Sequence, residues 1–120
     1  MHEAALAEGI ALAVEKIAIR EAVARVLAVR IAVGELAGVD IDALRFAWRS
    51  FARRPGRLNG CRLRIERPEG RAWCLDCARS VPLHRTGDPC PVCGRWHLAP
   101  VGGHELKVLD FEVPVAPPDH

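Results

Sequence analysis

Near its start the chain repeats apolar residues at intervals of three and four positions. The residues that share one side of a helical projection are Leu6, Ile10, Ala13, Val14 and Ile17. Charged residues fall mostly on the other side, so the pattern predicts an amphipathic helix. We expect this helix to end between Arg20 and Val23.

The spacing between apolar residues then shortens to two positions, and further along the chain it returns to three and four positions. The alternating positions are Leu27, Val29, Ile31 and Val33. They predict a strand that stops at Gly34. Asp40 is a suitable N-cap for a second helix. The apolar positions of that helix are Ile41, Leu44, Trp48 and Phe51, and it should end before Pro55-Gly56.

Two further strands are predicted in the second half of the chain. Strict alternation from Cys61 to Glu66 places Cys61 with Leu63 and Ile65 on a buried face. A reactive thiol is the alternative role for this odd cysteine, but its apolar neighbours favour a core position. After Gly102-Gly103 the apolar positions change face between Val108 and Leu109, which predicts a last strand with a bulge that rejoins the first sheet.

Four cysteines form two close pairs with twelve residues between the pairs. They are Cys74, Cys77, Cys90 and Cys93. Cysteines separated by two residues place their sulfurs at adjacent corners of a tetrahedron, so the pattern predicts a structural zinc site. Four thiolates close the coordination sphere and leave no position for substrate. Two disulfides are the alternative, which a reducing cytoplasm disfavours.

These elements predict an α+β fold, with a small antiparallel sheet flanked by two helices and an inserted zinc-ribbon-like module. The predicted α+β domain comprises residues 1–66 and 102–113, and the zinc-binding module comprises residues 67–101. The module has few large apolar residues and should need its metal to fold. Prolines make residues 114–120 a disordered tail.

Length, composition and the opening residues indicate where the protein acts and which classes of function are excluded. The chain has 120 residues, one domain's worth, and a net charge of +2. Its opening Met1-His2-Glu3 carries an acid where a secretory signal would carry positive charge. No apolar run approaches the roughly 18–20 residues of a membrane span. We therefore expect a cytoplasmic protein with no membrane association. The chain contains no recognisable catalytic arrangement, so we do not expect an enzyme.

The segment from Arg45 to Arg64 contains seven arginines and no acidic residue. Arg45, Arg49 and Arg53 would share one helix face, which could be a solvated face or a docking strip for phosphate or an acidic protein. A zinc-ribbon nucleic-acid-binding protein is the alternative function. The low net charge disfavours that class, and so does the scarcity of aromatic residues near the cysteines.

The N-terminus offers a second metal site. The Met1 amine, the His2 amide nitrogen and the His2 ring can form fused chelate rings around one ion. A fourth donor near Glu3 would complete a square plane. Nitrogen and oxygen donors in that geometry favour Ni(II) or Cu(II) over zinc.

Taken together, Met1-His2-Glu3, the helix–strand–helix order and the two late cysteine pairs resemble the HypA/HybF family of nickel metallochaperones, which serve hydrogenase maturation. The resemblance covers nearly the whole chain and includes Ile31–Leu36, Gly38-Val39 and Leu44–Ala47. It implies one Ni(II) at Met1, His2 and Glu3 and one structural zinc at the four cysteines.

The same resemblance implies two partners, the nickel GTPase HypB and the precursor of the hydrogenase large subunit. The sequence leaves open whether the chain also forms a homodimer. The chain departs from the family pattern at two places. Many relatives have glycine in the turn where this chain has Glu21-Ala22-Val23, and Ala78 follows the first cysteine pair where the second pair has Gly94.

Overall fold

The computed structural model describes residues 2–115 and contains two helices and two small sheets. In chain order the elements are α1 (Glu3–Arg20), β1 (Ala28–Val33), α2 (Ile41–Ala52), β2 (Arg62–Glu66), β3 (Arg71–Cys74), β4 (Arg79–Pro82), β5 (Leu98–Gly102) and β6 (Leu106–Glu112). One sheet has the order β2-β1-β6 and the other the order β4-β3-β5. The predicted α+β class is confirmed, and the last strand rejoins the first sheet as expected.

The described chain divides into two compact units. One comprises the described residues up to Ile31, the segment Val39–Arg64 and the described residues from Val108 onward. The other comprises Ala32–Gly38 and Ile65–Lys107. The functional division predicted from the sequence, at residues 66–67 and 101–102, stays a prediction. Residues 116–120 of the predicted tail lie outside the described part of the chain. No helix among the described residues is long and apolar enough to cross a membrane.

Helix α1 ends at the predicted place, but its buried side differs from the prediction. Ala13 is exposed, and the buried residues are Ala7, Ile10, Ala11, Val14 and Ala18. Alanine contributes little to a hydropathy pattern, so the sequence did not reveal that small side chains form most of this face. Helix α1 packs against α2. Short side chains permit such close helix packing.

A left-handed residue terminates α1. Ala22 has φ 55°, and the Val23 N–H donates to the Ala18 carbonyl at 2.8 Å while the Ala22 N–H donates to the Ile19 carbonyl at 3.1 Å. These two bonds form a Schellman motif, which satisfies carbonyls at the helix end. The turn that lacks the family's glycine therefore keeps the geometry that glycine usually provides, with alanine in a strained conformation.

Hydrogen bonds position helix α2 at its start and within its second half. The Asp40 carboxylate accepts from the Ala43 N–H at 3.1 Å, which confirms the predicted N-cap. Further along, the buried Trp48 indole N–H donates to the Cys61 carbonyl at 2.9 Å. Cys61 itself is buried, as predicted, and burial raises the pKa of its thiol to about 11. A core cysteine is thus confirmed, and its thiol stays protonated at neutral pH.

In the second unit, β3 is the central strand of an antiparallel sheet. Trp73 lies opposite Ser80 of β4 and Ala99 of β5, and the register with β5 shifts between Arg71 and Ala72. No strands were predicted in this segment from the sequence. Each strand has only four or five residues, which is too short for a clear alternation.

Three glycines allow backbone segments of the second unit to meet. A Cβ at Gly34 would overlap the carbonyl oxygen of Gly103, and one at Gly70 would overlap the carbonyl oxygen of Leu83. A Cβ at Gly103 would lie 2.5 Å from the Gly70 Cα. The Leu36 N–H donates to the Gly103 carbonyl at 2.7 Å at the same crossing. The segment after β1 is therefore fixed to the entry and exit of the cysteine-containing region.

We expect Gly34→Ala to lower the free energy of unfolding by about 1–3 kcal/mol, because the added methyl overlaps backbone that cannot rotate away. The thermal unfolding midpoint, measured at one metal concentration, checks this. Gly9→Ala is the matched control. No atom lies within 4 Å of its added Cβ on α1, so it should stabilise by about 1 kcal/mol. An unchanged midpoint for Gly34→Ala would contradict the crossing.

Candidate metal centre

The four paired cysteines converge at one end of the β4-β3-β5 sheet. Cys74 is the last residue of β3, and Cys77 lies in the turn that leads to β4. Cys90 and Cys93 lie in the connection from β4 to β5. The two predicted cysteine pairs are thus brought together by the hairpin and by the return of the chain into β5.

The sulfur positions suit one tetrahedral metal ion. All four sulfurs lie within 4.8 Å of one another. Cys74 Sγ is 3.7 Å from Cys93 Sγ, and Cys77 Sγ is 3.9 Å from Cys90 Sγ. A tetrahedron with zinc–sulfur bonds of about 2.3 Å has sulfur–sulfur edges of about 3.8 Å. Disulfide sulfurs would be about 2.05 Å apart, and all four cysteines are free. Within residues 2–115 this is the one such group of metal-ligating side chains.

Both cysteine pairs form the same backbone turn. The Ala78 N–H donates to the Cys74 carbonyl and the Gly94 N–H to the Cys90 carbonyl, each at 2.8 Å. Both residues are left-handed, with φ 53° at Ala78 and 74° at Gly94. The first turn therefore keeps its geometry without glycine, at the steric cost that a Cβ imposes in this region.

In the absence of a cation, the pKa values of the cysteines oppose ionisation of all four sulfurs at neutral pH. Backbone N–H groups, first that of Cys93, lower the pKa of Cys90 to about 7. Removal from water and the neighbouring sulfurs raise the pKa of Cys77 to about 12. One thiolate is therefore favoured while another is strongly opposed. A divalent ion bound here must displace protons, and its charge would offset the repulsion among the thiolates.

The cysteines also form most of one small buried cluster in this region. Cys74, Val81 and Cys90 are buried together, with Cys77 and Leu98 packed against them. So few apolar side chains bury little surface, which supports the prediction that the module needs its metal to fold.

Beside the first cysteine pair, the Asp76 side chain connects the turn after β3 to the segment that precedes β5. Its carboxylate is 2.8 Å from His97 Nδ1 and 3.5 Å from Arg95 Nη1. The Leu75 N–H donates to the His97 carbonyl at 2.9 Å. No local sequence pattern indicates these contacts, because residues about twenty positions apart meet only after the sheet has formed.

The predicted N-terminal site is partly described. Met1 lies outside the described residues. His2 is exposed and precedes the first turn of α1, where its carbonyl accepts from the Leu6 N–H at 3.0 Å. The Glu3 carboxylate accepts from the Asp40 N–H at 3.1 Å, and this bond lowers the pKa of Glu3. The structure thus links Glu3 to the start of α2, which sequence reasoning missed.

Comparison with known proteins identifies close relatives. The model of a family described as hydrogenase/urease nickel incorporation, metallochaperone, HypA, matches residues 1–113. A HypA hydrogenase maturation factor from Polaromonas naphthalenivorans is 50% identical over 94% of this chain and 97% of its own length. Another, from Cupriavidus necator, is 46% identical over 94% of both chains.

Solved structures support the fold. The solution structure of the nickel metallochaperone HypA from Helicobacter pylori has a TM-score of 0.65 and 19% identity over 94% of this chain and 97% of that chain. A second solution structure of a HypA protein has a TM-score of 0.66 and 20% identity, with 95% and 97% of the two chains covered.

Reciprocal substitutions test the two turns. Ala78→Gly should stabilise the metal-loaded chain by about 1 kcal/mol, because it relieves the left-handed strain. Gly94→Ala should destabilise the metal-loaded chain by a similar amount. Its added Cβ meets no atom within 4 Å, so the cost comes only from the left-handed backbone conformation, which alanine disfavours. The thermal midpoint at fixed metal concentration measures both effects. Shifts of the same sign would show that the two turns are not equivalent.

Proposed function

Because the chain belongs to the HypA family of hydrogenase/urease nickel-incorporation metallochaperones, we propose that it binds Ni(II) at its N-terminus and delivers it to the hydrogenase large subunit during maturation of nickel–iron hydrogenase. The family match over residues 1–113 carries this proposal, since it includes both Met1-His2-Glu3 and the four cysteines. The same match disfavours the nucleic-acid-binding alternative.

Nickel would be held by the Met1 amine, the His2 amide nitrogen, the His2 ring and a donor near Glu3. Exposure of His2 supports this, because its ring is accessible to an incoming ion. The Glu3 carboxylate already accepts a hydrogen bond from Asp40. We therefore assign the donor at Glu3 to its backbone, while its side chain fixes the first turn of α1.

Zinc would be held by Cys74, Cys77, Cys90 and Cys93. The sulfur separations and the thiolate donor set both fit zinc. A closed four-thiolate sphere has no open position, so this ion would stabilise the module and take no part in a reaction.

Delivery requires that nickel be held tightly and still be released. Donors near the chain terminus can leave one at a time and be replaced by donors from an acceptor protein. The proposed partners are the nickel GTPase HypB, which would supply the hydrolysis of GTP, and the large-subunit precursor. The chain itself would act in the cytoplasm as a carrier without catalysis.

We expect an untagged, zinc-loaded chain to bind one equivalent of Ni(II) with a square-planar absorption spectrum. His2→Ala should abolish this binding, because it removes the ring donor. Acetylation of the Met1 amine should also abolish it, because the acetylated nitrogen can no longer act as an amine donor. Calorimetry and absorption spectra measure both, with zinc content determined in parallel.

Glu3→Gln is the matched variant for this experiment. Glutamine keeps a side-chain oxygen that can accept from the Asp40 N–H, so nickel binding should persist if Glu3 contributes through its backbone. Equal nickel binding by the unmodified, His2→Ala and acetylated chains would refute the N-terminal site while leaving the family assignment intact.

Nickel affinity should fall as the pH decreases from neutral to mildly acidic values. The His2 ring must be neutral to bind, and the amine and any coordinating amide must lose protons. Calorimetric titrations across this range measure the effect. A flat pH profile would argue against a nitrogen chelate at the terminus.

A further inference from the structure

Helix α2 and strand β2 border a groove of about 430 Å³ that has four arginines along its rim. Arg45 and Arg49 come from α2, and Arg62 and Arg64 come from β2. All lie in the unit that contains Val39–Arg64. Arg53, which the helical pattern grouped with Arg45 and Arg49, does not line the groove. The rim therefore combines two elements that are separate in sequence.

The guanidinium groups of the rim are only partly satisfied. Arg45 donates to the Leu63 carbonyl at 3.1 Å, and Arg64 pairs with Glu112 at 2.8 Å. Arg49 and Arg62 are exposed and make no side-chain hydrogen bond or ion pair with any residue from 2 to 115. Two guanidinium forks are thus available to carboxylates from another molecule.

The groove also has an apolar floor. Trp48, Cys61 and Leu63 line it, and all three are buried. The Trp48 indole N–H is already used by the Cys61 carbonyl, and the high pKa of the Cys61 thiol keeps it neutral. A cationic rim over an apolar floor suits a ligand with negative charge and an aliphatic or aromatic side chain.

We propose that this groove binds an acidic segment of a partner protein, with carboxylates on Arg49 and Arg62 and an apolar side chain over Trp48 and Leu63. Charge complementarity carries the choice of partner, because seven arginines between positions 45 and 64 have no acidic residue among them. A nucleic acid would meet the rim through its phosphates, but the net charge of only +2 disfavours that partner. The surface goes beyond the metal sites and needs neither of them for binding.

The test uses the full zinc-loaded, nickel-free chain and a fluorescent peptide of about twelve residues that contains Asp, Glu and one central Leu. Fluorescence anisotropy at low salt should show saturable binding, which weakens as salt screens the charges. A peptide with Leu replaced by Ser should bind less tightly, because it no longer fills the floor.

The double variant Arg49→Glu/Arg62→Glu should weaken the peptide by at least about tenfold, since attraction becomes repulsion at both free guanidiniums. Arg79→Glu/Arg85→Glu is the matched control. It changes the net charge equally at two exposed arginines of the other unit. Its affinity should stay within about threefold of the unmodified chain.

Absence of saturable peptide binding would overturn the proposal, as would equal weakening by the two double variants. A labelled oligothymidine that binds more tightly than the peptide, and is lost in the groove variant, would assign the surface to nucleic acid instead. Nickel binding measured on the groove variant separates this proposal from the carrier function, because the N-terminal chelate does not use these arginines.

Discussion

Crowding of four cysteine sulfurs is the constraint on which the second unit depends. Each sulfur is a neighbour of the other three, and full ionisation is opposed while no cation is present. The same side chains supply most of the buried cluster, so there is little apolar surface to stabilise the region by itself. We therefore expect metal binding and folding of this region to be coupled, with strands β3, β4 and β5 as the frame that holds the four sulfurs at separations that suit one ion.

The chain uses glycine where main-chain atoms meet, but it lacks glycine at two left-handed turns. At Gly34, Gly70 and Gly103 the absence of a side chain allows main-chain atoms to meet. At Ala22 and Ala78 a side chain is present where the left-handed conformation favours glycine. The first case is a steric requirement, whereas the second is a tolerated strain of about 1–2 kcal/mol per residue. Glycine at either of these two alanine positions should therefore stabilise the chain.

Sequence reasoning succeeded where one pattern has one physical meaning. The two cysteine pairs, the Asp40 cap and the core position of Cys61 were all foreseeable, because spacing or alternation fixes each locally. It failed where the outcome depends on partners distant in sequence. The link from Glu3 to Asp40 and the contact between Asp76 and His97 arise only after folding. The alanine face of α1 was missed because small residues leave a weak hydropathy signal.

The burial of Cys61 has a practical consequence for measuring how much metal the protein holds. This thiol is buried and has a pKa of about 11, so a thiol-specific reagent should modify it slowly at neutral pH. The other cysteines would be masked while they hold a metal. The number of thiols that react rapidly would therefore measure metal occupancy. It should be near zero with the metal bound and four after a chelator has removed the metal. The fifth thiol, that of Cys61, should react only when the protein unfolds.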